Sequence, residues 1–238
     1  RYYAQLTDKI IIWTMKNVIK FIHPIANPTK SEKICVVAVG GYGRSEMAPF
    51  SDIDLLFITP YKQTAWGESV IESILYILWD LKMKIGYSVR TVDDCLRLGK
   101  TDITIRTTLL DHRFLAGEKS LQLTLENTLW KDLFTKSSAE FIEAKLEERA
   151  NRHLRQGGVR YMLEPNVKEG KGGLRDLQTL YWITKYLYRT SSKEELIKTG
   201  VFSKKEFSIF QKAENFLWSV RCNLHIISNR ASEQLNFN

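Results

Sequence analysis

Cysteine is scarce in this 238-residue chain: Cys35, Cys95 and Cys222 stand far apart, and no Cys-x-x-Cys pair occurs. That spacing excludes a disulfide framework and a cysteine-based zinc site, and the expected compartment is the cytoplasm. The four histidines, His23, His112, His153 and His225, are equally scattered, and each reads as a satisfied structural residue. No apolar run approaches the ~18 residues that a membrane span requires. The run Ile10–Trp13 is short and is flanked by Lys9 and Lys16, so no membrane partner is expected. No secretory leader with a small-residue cleavage site is expected, and the sequence shows no internal repeats or low-complexity tracts. The chain begins at Arg1 rather than Met and ends at Asn238, and the expectation is an excised piece of a longer protein.

What is present is ordinary for a globular protein, with 44% hydrophobic and 26% charged residues. The length allows one large domain or two small ones, with enough chain to bury a core. Lysine and arginine outnumber aspartate and glutamate 35 to 27, for a net charge of +8. Such a surface attracts anions. Nucleotide phosphates, nucleic acid and an acidic protein all fit it, and because the lysines are spread along the chain, charge alone does not choose among them.

Spaced apolar positions at Leu6, Ile10, Trp13, Val18 and Phe21 predict an opening helix that Pro24 and Pro28 break. Residues 33–39 form a continuous β-branched run suited to a buried strand. Strands are also expected at Asp52–Ile58 and Tyr87–Val92, with a helix over 65–81 between them. The fold class is therefore α+β, a small mixed sheet domain over residues 1–135 followed by an all-helical domain over 136–238. Three Ser-x-x-Glu capping boxes, at Ser137/Glu140, Ser192/Glu195 and Ser203/Glu206, predict helix starts in the second part. The last helix repeats apolar residues at Phe210, Ala213, Leu217, Val220, Leu224 and Ile227, a spacing that marks one buried stripe. The glycine-rich stretch from Gly157 to Arg175 is long for a loop inside a domain without a function of its own.

The chemistry gathers in Val39-Gly40-Gly41-Tyr42-Gly43-Arg44-Ser45, a strand end that runs into a glycine turn. Glycine permits positive φ and close approach of backbone to ligand, and freed amides at a helix start suit phosphate oxygens. Arg44 adds a fixed cationic fork and Ser45 a hydroxyl. Asp52 and Asp54 follow at the head of an apolar strand, on one face and roughly 6–7 Å apart along it. Two carboxylates so placed repel each other unless a cation joins them, and hard oxygen donors suit magnesium. In a two-metal arrangement one ion activates the attacking oxygen and the other supports the triphosphate and departing pyrophosphate.

Gly40-Gly41 followed by Asp52-x-Asp54 on the next strand resembles the polymerase-β-like nucleotidyltransferase superfamily. The longer string from Gly40 to Phe57 resembles one branch of it, the bacterial PII uridylyltransferase/uridylyl-removing enzymes. Two further strings, Leu163–Gln178 and Phe216–His225, are similar to the same branch. The resemblance implies transfer of UMP from UTP to a tyrosine hydroxyl of the PII nitrogen-signalling protein, with release of pyrophosphate. It implies Asp52 and Asp54 as catalytic Mg2+ ligands and Gly40, Gly41, Gly43, Arg44 and Ser45 as the triphosphate cradle. Many members of the superfamily carry a third carboxylate on a later strand. Here the segment Gly86–Val92 holds no acid, and Asp93 and Asp94 are placed to cap the next helix.

Lys168, Lys171 and Arg175 sit in the second string on a glycine-rich loop, with Asp176 at the start of the next helix. The loop is either a basic flap for the nucleotide or a solvated linker, and composition does not separate the two. The family also carries a phosphohydrolase domain that removes UMP and domains that sense glutamine. No paired His-Asp constellation is present here, Asp111-His112 being reversed and isolated, so this chain is expected only to add UMP. The alternatives are another nucleotidyltransferase, such as an adenylyltransferase, and a non-catalytic nucleotide- or nucleic-acid-binding fragment. Nucleic acid is not an expected partner.

Overall fold

A computed structural model of the chain describes residues 2–27, 29–61, 63–157, 162–190 and 192–236. The chain divides into two compact units, one of Arg1–Met47 and Ser51–Leu133, the other of Ala48–Phe50 and Phe134–Asn238.

The first unit opens with helix α1, Tyr2–Asn17, which runs into one wider π turn at Val18–Ile22. Its buried positions, Ala4, Thr7, Ile11, Thr14 and Met15, recur every three or four residues and so lie on one face. Of the apolar positions that announced the helix, Val18 is buried, whereas Leu6, Trp13 and Phe21 are exposed. The helix ends where the sequence reading stops it: the Trp66 indole donates to the His23 carbonyl at 3.0 Å, and Pro24 follows. Pro28 lies outside the described residues.

Strand β1, Cys35–Ala38, is fully buried, as its β-branched run predicts, and leads into the short helical turn α2, Gly40–Gly43. Next come β2 (Ile53–Thr59), α3 (Ala65–Asp80), β3 (Ile85–Thr91), α4 (Val92–Thr101), α5 (Ile103–Leu110), β4 (Arg113–Gly117) and α6 (Lys119–Asp132). The sheet order is β3-β2-β1-β4. β1 pairs antiparallel with β2 and β4, while β2 and β3 are parallel, which makes the sheet mixed and the architecture α+β. Val36, Ala38, Ile53, Leu55 and Phe57 on one sheet face pack with Ile11 and Met15 of α1 and with Val70, Ile71, Ile74 and Leu78 of α3. Each of these side chains larger than alanine, fully buried, stabilises the fold by about 1.5–3 kcal/mol. Strand alternation sends Asp54 and Leu56 to the other face.

The second unit is helical: α7 (Ser138–Arg155), α8 (Leu174–Tyr188), α9 (Glu195–Lys198) and α10 (Lys204–Ser228). Tyr186 of α8 stacks on Phe141 of α7 with ring centroids 3.9 Å apart and planes 9° from parallel. One of the three expected capping boxes forms. Ser203 accepts from the Glu206 amide at 3.2 Å while Glu206 accepts from the Ser203 amide at 2.9 Å. Ser137 makes no cap bond, because its hydroxyl bonds the Tyr186 hydroxyl at 2.7 Å instead. The helix expected from Ser192 opens at Glu195 with Glu194 as its cap.

The apolar stripe expected on α10 is also rotated. Phe210 is buried, but Ile227 is 83% exposed, and the inward positions are Phe207, Phe210, Glu214, Arg221 and His225. Three of those five are polar. Glu214 pairs with Lys193, and Arg221 and His225 face Glu233. A hydrophobicity pattern does not register such paired polar burial.

Candidate active site

The glycine turn is a tight helical hairpin bend whose hydrogen bonds run backwards from its C-terminal half. Gly43 donates to Val39 at 3.0 Å, Arg44 to Gly40 at 3.2 Å, and Glu46 to Gly41 at 2.9 Å. Among the described residues, the amides of Gly40, Gly41 and Tyr42 donate to no backbone carbonyl. Gly40 has φ +59°, a conformation in which a side chain is strained, and Ser45 shares the same left-handed region. Val39 hydrogen-bonds the Asp54 carbonyl at 3.0 Å, which ties the start of the turn to the start of β2.

Asp52 is exposed and stands one residue ahead of β2, which spans 53–59 rather than the 52–58 expected. Asp54 is half-buried on β2, beside Gly86 of the parallel neighbour β3. A Cβ built on Gly86 would come 2.7 Å from Asp54 Oδ1, and one on Gly40 would come 3.3 Å from Oδ2. The carboxylate therefore sits in a slot between two glycines, one on the turn and one on the neighbouring strand. Burial, and then the charge of Asp52, raise the Asp54 carboxyl above the usual aspartate range. The pair is thus under the repulsion that a bound cation relieves. Magnesium keeps waters and substrate phosphates among its ligands and asks only one or two carboxylates of a protein, a donor set that Asp52 and Asp54 fit. Among the described residues there is no group of three or more His, Cys, Asp or Glu side chains able to hold a metal. β3 carries no acid, and Asp94 forms a capping box with Thr91 at the start of α4.

Arg44, read from the sequence as a phosphate fork, has carboxylates of its own. Its side chain is buried, with Nε 2.8 Å from Glu46 and a guanidinium nitrogen on Asp111. Burial works against its charge, but Asp111 and Glu46 outweigh burial and raise the guanidinium further. Gly43 is needed for packing, since a Cβ there would fall 1.9 Å from the Asp111 carbonyl oxygen. Arg113 of β4 donates to the Gly43 carbonyl at 3.1 Å and pairs with Asp8 of α1 at 2.8 and 3.0 Å. Asp8 also accepts from the Tyr42 hydroxyl at 2.6 Å. Burial, then that hydrogen bond, hold the Tyr42 phenol well above its ordinary range. The sequence reading missed Asp8, Gly86, Asp111 and Arg113. Only Gly86 carried a local signal, because a lone glycine inside a strand marks close approach.

The loop of the second unit is a self-bonded turn. Asn166 Oδ1 accepts from the amides of Lys168 and Glu169 at 3.0 and 2.7 Å, and Leu174 and Arg175 donate to the Val167 and Lys168 carbonyls. Residues 158–161 of the expected loop lie outside the described residues. Lys168 is 3.6 Å from Glu233, and Arg175 pairs with Glu169 at 3.3 Å and lies over the Trp182 ring. Lys171 is exposed and has no ion-pair partner among the described residues. Asp176 serves Arg152, His153 and the Gly172 amide rather than Arg175. Burial opposes its charge, yet these donors together hold its carboxyl below the usual range.

Residues 25–107 match the nucleotidyltransferase domain family, and residues 140–238 match the GlnD PII-uridylyltransferase family. The chain is 61% identical over its whole length to a bifunctional uridylyltransferase/uridylyl-removing enzyme of Cereibacter sphaeroides, covering 26% of that protein. It is 58% identical over its whole length to the enzyme of the same description from Ruegeria pomeroyi, again covering 26%. The chain thus spans about a quarter of the length of the curated relatives it matches.

Proposed function

Because the chain belongs to the bacterial uridylyltransferase/uridylyl-removing enzyme family and carries its nucleotidyltransferase domain, we propose that it transfers UMP from UTP to a tyrosine hydroxyl of the PII signalling protein. The observation that carries nucleotidyl transfer is the Asp54 carboxylate held in its slot between Gly40 and Gly86, with Asp52 beside it. The description of the relatives supports uridylyl as the group, and that of the matching family supports PII as the acceptor.

In this reading Asp52 and Asp54 hold magnesium, which when bound offsets the triphosphate charge and lowers the pKa of the acceptor hydroxyl. The amides of Gly40 and Gly41, the Gly43 bend and the Ser45 hydroxyl cradle the triphosphate, where backbone donors are preorganised for anionic oxygens. Arg44 supports that cradle from behind through Glu46 and Asp111. On the second unit, Lys171 is the loop cation left for an anion, while Lys168 and Arg175 shape the loop. The acceptor oxygen attacks the α-phosphorus, the bond to the pyrophosphate oxygen breaks, and the hydroxyl proton passes to solvent. The proposal covers the adding reaction alone. No helix of the described residues is long and apolar enough to cross a membrane, and a cytoplasmic location is part of the proposal.

The test supplies the protein with PII, magnesium and each α-labelled nucleoside triphosphate. Label is expected on PII from UTP, and Asp52→Asn with Asp54→Asn abolishes it without loss of the folded circular dichroism spectrum. Transfer from ATP but not from UTP would sink the uridylyl reading.

A further inference from the structure

The sheet face that carries Asp54 continues along β2 and β3 into a cleft of about 130 Å³ in the first unit. Leu56 pairs with Ser88 two residues beyond the Asp54–Gly86 pair, and Arg90 follows two residues later on β3. Alternation puts all of these on one face, with Ser88 about 7 Å along the strand from Gly86. Leu56 forms the floor of the cleft and Ile105 of α5 a wall. Its polar groups are Ser88, Arg90, Thr104 and Thr108.

Arg90 differs from the other arginines around the site. Arg44 and Arg113 hold carboxylates, and Arg106 donates to the carbonyls of Gly99 and Lys100 at 2.7 and 2.9 Å. Arg90 is half-buried, and among the described residues it has no hydrogen bond or ion pair. A guanidinium partly withdrawn from water without an acceptor is costly. Here it faces a cleft lined otherwise by hydroxyls and aliphatic carbons. The Thr108 hydroxyl donates to the Thr104 carbonyl at 2.9 Å, so Arg90 and the hydroxyls of Ser88 and Thr104 are the donors that ask for an acceptor-rich ligand.

Size narrows the ligand. Pockets that enclose a whole drug-sized molecule are about 300–1,000 Å³, so this cleft takes a single ring rather than an entire nucleotide. Apolar walls suit the faces of a planar ring, and the donors suit ring carbonyls at its edge. Cytosine and adenine present an exocyclic amino donor where uracil, like thymine, presents a carbonyl acceptor. An amino group against Arg90 would set donor on donor, and a site built to hydrogen-bond one edge rejects the other.

We propose that this cleft seats the uracil ring of the nucleotide, with Arg90 donating to a ring carbonyl and the hydroxyls of Ser88 and Thr104 completing the edge. The assignment rests on the uridylyl reading and gives it a structural source of base choice.

Calorimetric titration of UTP and CTP with magnesium into wild type and Arg90→Met tests it. Wild type binds UTP more tightly than CTP. In Arg90→Met the UTP affinity falls at least about tenfold, the loss expected for one hydrogen bond from a charged donor, and CTP affinity stays within about twofold, so the preference vanishes. Equal weakening of both nucleotides, or no change in either, overturns the cleft assignment. Should Arg90→Met not fold, as judged by its melting transition, Ser88→Ala decides. A selective loss of about threefold for UTP supports the cleft, and an unchanged preference overturns it. If wild type has no preference for UTP, the uridylyl reading falls as well. A wild-type preference that survives in the variant sinks the cleft alone.

Discussion

Gly86→Ala asks whether Asp54 must stand where it does. The added Cβ would come 2.7 Å from Asp54 Oδ1, and ordinary contact begins at 3.4 Å, so the oxygen has to retreat by about 0.7 Å. The atom it meets is the end of a flexible side chain, so the fold adjusts at little cost. Replacing glycine within a strand gains roughly 0.5–1 kcal/mol, and tilting the carboxylate off its rotamer costs about 0.5–1.5 kcal/mol. The two nearly cancel, and the melting temperature should shift by no more than a few degrees. Catalysis does not enjoy that tolerance, because a misplacement on the order of 1 Å costs up to about a hundredfold. The initial rate of label transfer to PII should therefore fall ten- to a hundredfold, on the order set by that geometry, in a protein that melts like wild type. A full rate in the variant would refute the seating of Asp54 as the feature that matters. A collapse of melting temperature together with rate would make Gly86 a folding residue and refute the argument in a different way.

Other perturbations have equally definite expectations. The Asp54 carboxyl is raised by burial and by Asp52, so its contribution to stability is complete below the ordinary aspartate range and is lost as pH rises through the raised value. Without added metal, Asp54→Asn should raise the melting temperature at neutral pH and lose that advantage below about pH 4, while abolishing transfer; a lower melting temperature at neutral pH counts against this. Asp111→Ala takes from the buried Arg44 a carboxylate that shares its charge alongside Glu46 and should cost about 3 kcal/mol in urea unfolding, and a loss under about 1 kcal/mol would place the pair among ordinary surface bridges. Ser203→Ala should cost about 1 kcal/mol as a lost helix cap. Ser137→Ala should instead be non-additive with Tyr186→Phe by about 1 kcal/mol, since the two hydroxyls share one bond.

Where the sequence was legible, local chemistry and fold agreed. The β-branched run at 35–38, the bend at Gly40 and the box at Ser203 are each decided by residues within a few positions of one another. The reading failed where a distant residue decides the outcome. Ser137 has the neighbours of a capping serine, but Tyr186, 49 positions away, takes its hydroxyl. α10 turns Glu214 and Arg221 inward because Lys193 and Glu233 meet them there, and no periodicity of α10 records those partners. β4 went unread because Arg113–Gly117 is short and has no β-branched residue, and its place is set by pairing with β1. The aspartate pair was legible as a candidate site from its spacing together with the glycine turn upstream. Its slot was not, since Gly86 comes beside Asp54 only through a parallel crossover.

The turn at Gly40–Ser45 is held by Asp8, Asp111 and Arg113, from well before it in the chain and well after. Its shape is thus inherited from the finished fold and is in place before any nucleotide arrives. Regulation of this chemistry has little purchase there, because loosening the turn means breaking the ion pairs that also hold α1 and β4. The phosphate cradle proposed here is therefore as rigid as the fold that surrounds it.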